Sequence, residues 1–268
     1  MYMEMKAAVK GAILDPTLVL SIVRDGVRLR LGRSPVRVKT LVGTHHKILT
    51  VYMTQVFRAF SVITGQTFSN SLEYDKEVLV DYHSKFEFER VTVPFRGVHV
   101  RRDPRDVLVS CVLYHLKSSE PWLHREGGWG FQGSTYQKEL RALKSMEEQL
   151  LFELDRVGGR AIEQMMLWDY SRPEFVELRY EGIVGEDGLR YIRESLDQSA
   201  LFDANECAVI VNLFKIFSAQ GVLANKRHIR NPRPSQWKEH FTPAVERRFH
   251  ERFGQALEKL GYDGTATT

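Results

Sequence analysis

The apolar run FRGVHV (residues 95–100) passes straight into a helical pattern headed by Pro104, and this junction constrains the fold more than any other stretch of the chain. The helix places Val107, Leu108, Cys111, Val112 and Leu113 inward. Proline is pre-set for the first helical position, and Asp103 and Asp106 suit the first turn. RRDPRDVLVS (101–110) therefore reads as a strand running into a helix N-terminus. Backbone N–H groups at such a start, with an arginine fork beside them, favour a phosphate-like dianion, and Ser110 adds a hydroxyl two turns in.

Other apolar runs repeat the pattern. VRVKTLVG, EVLVDYH, FRGVHVR and EFVELRY read as strands, and helical periodicity covers 49–63, 104–117, 135–157, 161–168, 187–196, 204–218 and 243–260. Strands alternating with helices are the signature of a parallel sheet, so the expected class is α/β: a three-layer single domain around a central, mostly parallel sheet. All 268 residues are assigned to that domain, with 1–35 as a helical or loop extension and 262–268 as a disordered tail.

Cys111 and Cys207 sit in apolar settings and are too few for a disulfide or metal framework, so both read as core residues and no metal is expected. The formal charge of +4 suits an anionic cofactor. The basic residues are scattered, and the densest cluster, RLRLGRSPVRVK (28–39), reads as a solvated face, so nucleic acid is not the expected partner. No stretch approaches the ~18 to 20 apolar residues of a membrane span. The N-terminal apolar patch is interrupted by Asp15, Arg24 and Asp25 without a cleavage pattern. The expectation is a cytoplasmic protein without a membrane partner.

Two further segments carry chemistry. HIRNPRPSQWKEHFT (228–242) sets Arg230, Arg233 and Lys238 among Asn231, Pro232, Pro234 and Ser235, a composition that makes a loop. VKTLVGTHHKILTVYM (38–53) reads as strand, polar turn and helix, with Lys47 at the turn. The pattern G-x-x-x-x-G-K-[ST] is absent.

RDPRDVLVS resembles the 3′-phosphate-binding segment of the cytosolic-type sulfotransferases, which use 3′-phosphoadenosine-5′-phosphosulfate (PAPS). RNPRPSQWKEHFT resembles their C-terminal Arg-Lys-Gly, Gly-Asp-Trp-Lys and Phe-Thr signature. The turn at Lys47 resembles their P-loop-like phosphosulfate loop, with Thr50 at its first threonine and Tyr52 at its tryptophan. Ile48 and Leu49 replace the serine and glycine, and Val51 replaces the second hydroxyl.

The resemblance implies sulfuryl transfer from PAPS to a hydroxyl or amine of a small-molecule acceptor by in-line displacement, with adenosine 3′,5′-bisphosphate (PAP) as product. Lys47 would stabilise the leaving group. His83 would be the general base, at a strand's C-terminal edge, where ligands of open α/β sheets collect. His45, His46, Asp81 and Glu87 are its rivals. For the cofactor the resemblance implies Lys47, Thr50, Tyr52, Arg102, Ser110, Tyr180, Phe214, Arg230 and Asn231; Pro232 replaces the family's glycine. The Gly-rich segment 118–136 reads as an acceptor-binding or gating loop, with Trp122, His124, Trp129 and Phe131 offering aromatic surface. A homodimer is compatible with this reading. The alternatives are a sulfotransferase-like nucleotide-binding protein without turnover and a kinase-like phosphotransferase.

Overall fold

The computed structural model describes residues 16–31, 38–218 and 233–263. In chain order the first elements are α1 (Pro16–Leu31), β1 (Lys39–Gly43), α2 (Thr50–Thr64), β2 (Phe68–Ser69), β3 (Val78–Asp81) and β4 (Phe95–Arg101). There follow α3 (Pro104–His115), α4 (Tyr136–Ala142), α5 (Met146–Leu154), α6 (Val157–Leu167), β5 (Phe175–Arg179) and α7 (Tyr180–Val184). The last are α8 (Gly188–Ser199), α9 (Ala204–Phe217), α10 (Trp237–His240) and α11 (Pro243–Leu260). The chain divides into two compact units, Met1–Arg101 with Asp169–Pro232, and Arg102–Trp168 with Arg233–Thr268.

The first unit is built on a five-stranded sheet of order β2-β3-β1-β4-β5, parallel throughout. β1 lies at its centre, with Leu41 in register with Leu79 on one side and Gly97 on the other. Every residue of β1 is buried, Lys39 and Thr40 included, as expected of a central parallel strand covered on both faces. Gly97 fits because nothing larger does: a Cβ there would lie 2.2 Å from the Phe175 ring and 2.7 Å from the Leu41 carbonyl. After β1 the chain builds one side of the sheet, then returns past β1 to build the other with β4. That reversal makes the C-terminal end of β1 a topological switch point, where open parallel sheets bind ligands.

Helices cover the sheet. α2 buries Met53, Val56, Phe57 and Phe60, a helical stripe at i, i+3, i+4 and i+7. It ends at Gly65, whose φ of 71° is the left-handed conformation that favours glycine, and Arg30 of α1 donates to the last carbonyls of Ile63 and Val62 at 2.8 and 2.6 Å. α9 is tied to the sheet by Arg96 of β4. Its guanidinium forks onto Glu206 at 2.7 and 2.5 Å, donates to the Leu201 carbonyl at 2.8 Å and stacks on Phe202. Glu206 also closes the capping box with Asp203, so one carboxylate serves both the helix start and the sheet.

The second unit is helical. α3 opens on Pro104, with the Asp103 carboxylate accepting the Arg105 N–H at 2.9 Å. α3 and α11 each pack on α5 and α6. The buried His115–Glu153 pair, 2.5 Å apart, fixes α3 to α5, and Glu153 also accepts the Gly158 N–H at the start of α6.

The structure confirms an α/β fold with helices flanking a parallel sheet and corrects some boundaries. The expected helix over 135–157 is two helices, because Leu143 is extended and Ser145 opens a new capping box with Glu148. Tyr180, expected at a strand end, begins the short helix α7. A two-residue edge strand, β2, has too little pattern to be read from the sequence.

Replacing Arg96 by alanine strands Glu206 half-buried. The expected cost is about 3 kcal/mol of unfolding free energy in denaturant titrations, and Arg96→Ala with Glu206→Ala should cost less than the sum of the two singles. Additive losses would show that the fork does not hold α9.

Candidate active site

The site is assembled at the end of β1. Thr44 continues the strand by donating its N–H to the Asp81 carbonyl at 3.0 Å, and the Ser84 hydroxyl donates to the Thr44 carbonyl at 3.0 Å. The loop after β3 is thereby clamped to the loop after β1. Residues 45–48 turn back on themselves through an Ile48 N–H to His45 carbonyl bond of 3.0 Å. Lys47 and Leu49 then take left-handed φ values of 65° and 53°, conformations uncommon outside glycine, and α2 begins at Thr50. Successive backbone N–H groups in such a turn, followed by a helix start, form an anion-binding concavity. Thr50 closes the loop, donating to the His45 carbonyl at 3.1 Å and accepting from the Thr44 hydroxyl at 3.3 Å.

Behind the loop lies a hydrogen-bonded chain. His45 is fully buried with its Nε2 2.9 Å from His99 Nε2, and His99 Nδ1 is 2.8 Å from a Glu177 carboxylate oxygen. Register sets up this contact, since His99 of β4 pairs with Glu177 of β5 and with Gly43 of β1. A carboxylate only accepts, so His99 Nδ1 carries a proton. With one proton per ring, His45 Nε2–H then donates to His99, and His45 Nδ1 is left as a lone pair. That nitrogen is buried without a hydrogen-bond partner. Burial first, and then the proximity of the His99 and His83 imidazoles, which disfavours a further proton there, hold the His45 pKa well below the ordinary histidine value. Tyr170 packs edge-on against His99, and the Arg101 guanidinium lies 5.3 Å from the Tyr170 ring centre.

In the first unit the structure brings several expected residues to this end of the sheet. Lys47 is in the turn and Thr50 heads α2. His83 is exposed in the loop after β3, close enough to His45 to bear on its charge. Of the rivals, His46 is in the same turn as Lys47, Asp81 accepts from the Lys85 N–H, and Glu87 pairs with Arg90. Tyr52 and Phe214 meet edge to face, and the Tyr52 hydroxyl donates to the Phe214 carbonyl at 2.6 Å; burial raises the phenol's pKa. Phe214 and Tyr180 are both buried.

In the second unit the two basic motifs converge on Asp106. Its buried carboxylate accepts from the backbone N–H groups of Ser235 at 2.7 Å and Trp237 at 2.9 Å, and burial raises its pKa. Arg105 stacks on Trp237, 3.8 Å from the ring centre. A cleft of about 480 Å³ is lined from one motif by Asp103 and Arg105 and from the other by Ser235, Trp237 and Lys238. Arg102 is buried, and Ser110 is part-buried on α3. Arg230 and Asn231 lie outside the described residues. Trp122 and Trp129 line one cleft of about 380 Å³ with Arg125, Glu126, Gly127 and Gly128, whereas Phe131 stacks on Phe152. His124 closes the turn Pro121–His124.

No family model matches this sequence, and no curated protein sequence matches it. Among solved structures, that of mouse sulfotransferase SULT7A1 complexed with PAP is similar to this chain with a TM-score of 0.54. The match covers 91% of this chain and 90% of that one at 15% identity. The chain has a sulfotransferase-like fold. At that identity the likeness extends to architecture, and the side chains must carry any argument about chemistry.

Sequence reasoning missed the relay's inner members, His99 and Glu177, and the role of Asp106. A signal was present: GVHV (97–100) and FVEL (175–178) each interrupt an apolar run with one polar residue, His99 and Glu177, and the sheet register pairs the two. From the sequence alone, Asp106 reads only as a helix-start charge.

Since His45 is neutral when folded and titrates near pH 6.5 when unfolded, the unfolded chain binds the extra proton as pH falls through that range. Stability from this group is therefore present above about pH 6.5 and is lost below it, by up to about 1.4 kcal/mol per pH unit. The thermal midpoint should fall more steeply between pH 7.5 and 5.5 in the parent protein than in His45→Gln. Equal slopes would contradict a buried neutral His45.

Proposed function

We propose that the protein is a PAPS-dependent sulfotransferase that transfers a sulfuryl group to a hydroxyl or amine of a small-molecule acceptor. The observation that carries this reading is the turn at Lys47. It is a loop with two left-handed residues between the buried central strand and a 15-residue helix, at the switch point of a parallel sheet with a sulfotransferase-like fold. The donor set fits an anionic group: backbone N–H groups, a lysine and a helix N-terminus, with no carboxylate in residues 44–50.

PAPS, when bound, supplies an activated sulfuryl group and a phosphate leaving group. The chain's task is positioning and charge neutralisation, as in phosphoryl transfer. Lys47, in the turn after β1, would neutralise the negative charge that grows on the leaving oxygen. His83, exposed in the loop after β3, takes the acceptor proton through its imidazole nitrogen. By the resemblance, Thr50 and Tyr52 contribute to the cofactor from the phosphosulfate loop and its helix, Tyr180 and Phe214 contribute to the adenine, and Arg102, Ser110, Arg230 and Asn231 to the 3′-phosphate. The Trp122–Trp129 cleft is a candidate acceptor surface.

Calorimetric titration with PAP, with ADP and AMP as controls, tests the assignment. PAP should bind at least tenfold more tightly than ADP, a margin of about 1.4 kcal/mol, within what one charge-assisted hydrogen bond contributes. Arg102→Ala should remove that preference; because Arg102 is buried near the Asp106 carboxylate, the variant should also unfold at a lower thermal midpoint, and its affinity is compared below that midpoint. Equal affinity for PAP and ADP would overturn the assignment.

A further inference from the structure

The loop after β1 is poor in side-chain donors. Ile48 is fully buried and apolar, Leu49 and Val51 carry no polar atom, and the Thr50 hydroxyl already donates to the His45 carbonyl. Behind the same loop stands a polar atom with the opposite problem, His45 Nδ1, buried and without a partner. A lone pair offers nothing to a phosphate or sulfate oxygen, which also only accepts. A proton on Nδ1 would instead put a positive charge directly behind the loop, where it acts on an anion through space.

The relay can accommodate that proton without rearrangement. His45 Nε2–H still donates to His99 Nε2, and His99 Nδ1–H to Glu177, whose carboxylate supplies the counter-charge. The groups that act on His45 are His99 from β4, with Glu177 of β5 behind it, and His83 from the loop after β3; His46 and Lys47 follow it in its own loop. Tyr170 and Arg101 stack beyond His99. Glu177 is the one anion in that set, so without ligand the balance favours neutral His45. A dianion in the loop reverses it.

We propose that His45 is a proton-coupled anion anchor: binding of a 5′-phosphate or phosphosulfate at the Lys47 loop draws one proton from solvent onto His45 Nδ1, with His99 and Glu177 as the charge-balancing chain behind it. One N–H bond forms, the proton comes from the buffer, and no other bond changes. This inference rests on the sulfotransferase reading of the loop.

The test is calorimetry of the full chain with PAP at pH 7.5 in two buffers of different ionisation enthalpy. The ligand's phosphates have lost most of their second proton there, with a pKa of about 6, and contribute little. The parent protein should show net proton uptake and an affinity that strengthens, by up to about tenfold per pH unit, from pH 8.5 to 7.5. His45→Gln keeps an N–H for His99 but cannot take up a proton, and should abolish both effects, whereas His83→Gln should keep them. Uptake that is absent, or equal in His45→Gln, would overturn the proposal. Should that variant not fold, imidazole nitrogen shifts of the parent protein decide: His45 should pass from neutral to imidazolium on saturation with PAP, and a ring that stays neutral overturns the inference. If PAP does not bind at all, the reading of the loop fails first, and this inference with it.

Discussion

The complete burial of β1 between β3 and β4 is the constraint on which the candidate site depends. A central parallel strand covered on both faces cannot direct its polar residues to water, so its chemistry is pushed to the strand's carboxyl end. Gly43 is the last strand residue, Thr44 and His45 are buried immediately beyond it, and Lys47 is reached only after the chain has turned. The loop after β3 is pinned to the same place by the Ser84–Thr44 hydrogen bond, which brings His83 near the turn. Sheet topology thereby gathers an arrangement that no sequence-local rule would assemble.

The relay from Glu177 through His99 to His45 follows from the same constraint. Polar side chains inside a parallel sheet must satisfy one another, and here three neighbouring strands contribute one group each, or one just past the strand end. The chain is satisfied everywhere except at its outermost nitrogen. An unsatisfied buried atom costs about 1 to 3 kcal/mol, and such costs are tolerated at functional sites. Asp106 in the second unit is the complementary case. It is a buried carboxylate fully engaged by two backbone N–H groups, which holds the segment after Arg233 in a defined path beside α3.

Much of this was legible in the sequence because the strongest signals are local. FRGVHVR is a strand over the bounds expected, Pro104 opens a helix as its chemistry dictates, and the polar turn around Lys47 stands between a strand and a helix. What was not legible depends on pairing across the sheet. Whether His99 faces another histidine or a hydrophobic neighbour is set by the β1–β4–β5 register, which the residues of one strand do not encode. The break at Leu143 was hidden for a different reason. The capping box of Ser145 and Glu148 looks like favourable helix chemistry whether it starts a new helix or continues an old one.

The central claim is that these parts perform sulfuryl transfer, and single-turnover assay with sulfur-labelled PAPS against a panel of phenols, alcohols and amines tests it most directly. The account predicts label transferred to at least one acceptor with one equivalent of PAP released, and loss of that transfer in His83→Ala while PAP still binds. Tight PAP binding without transfer to any acceptor would contradict it and leave a nucleotide-binding protein on a sulfotransferase-like fold.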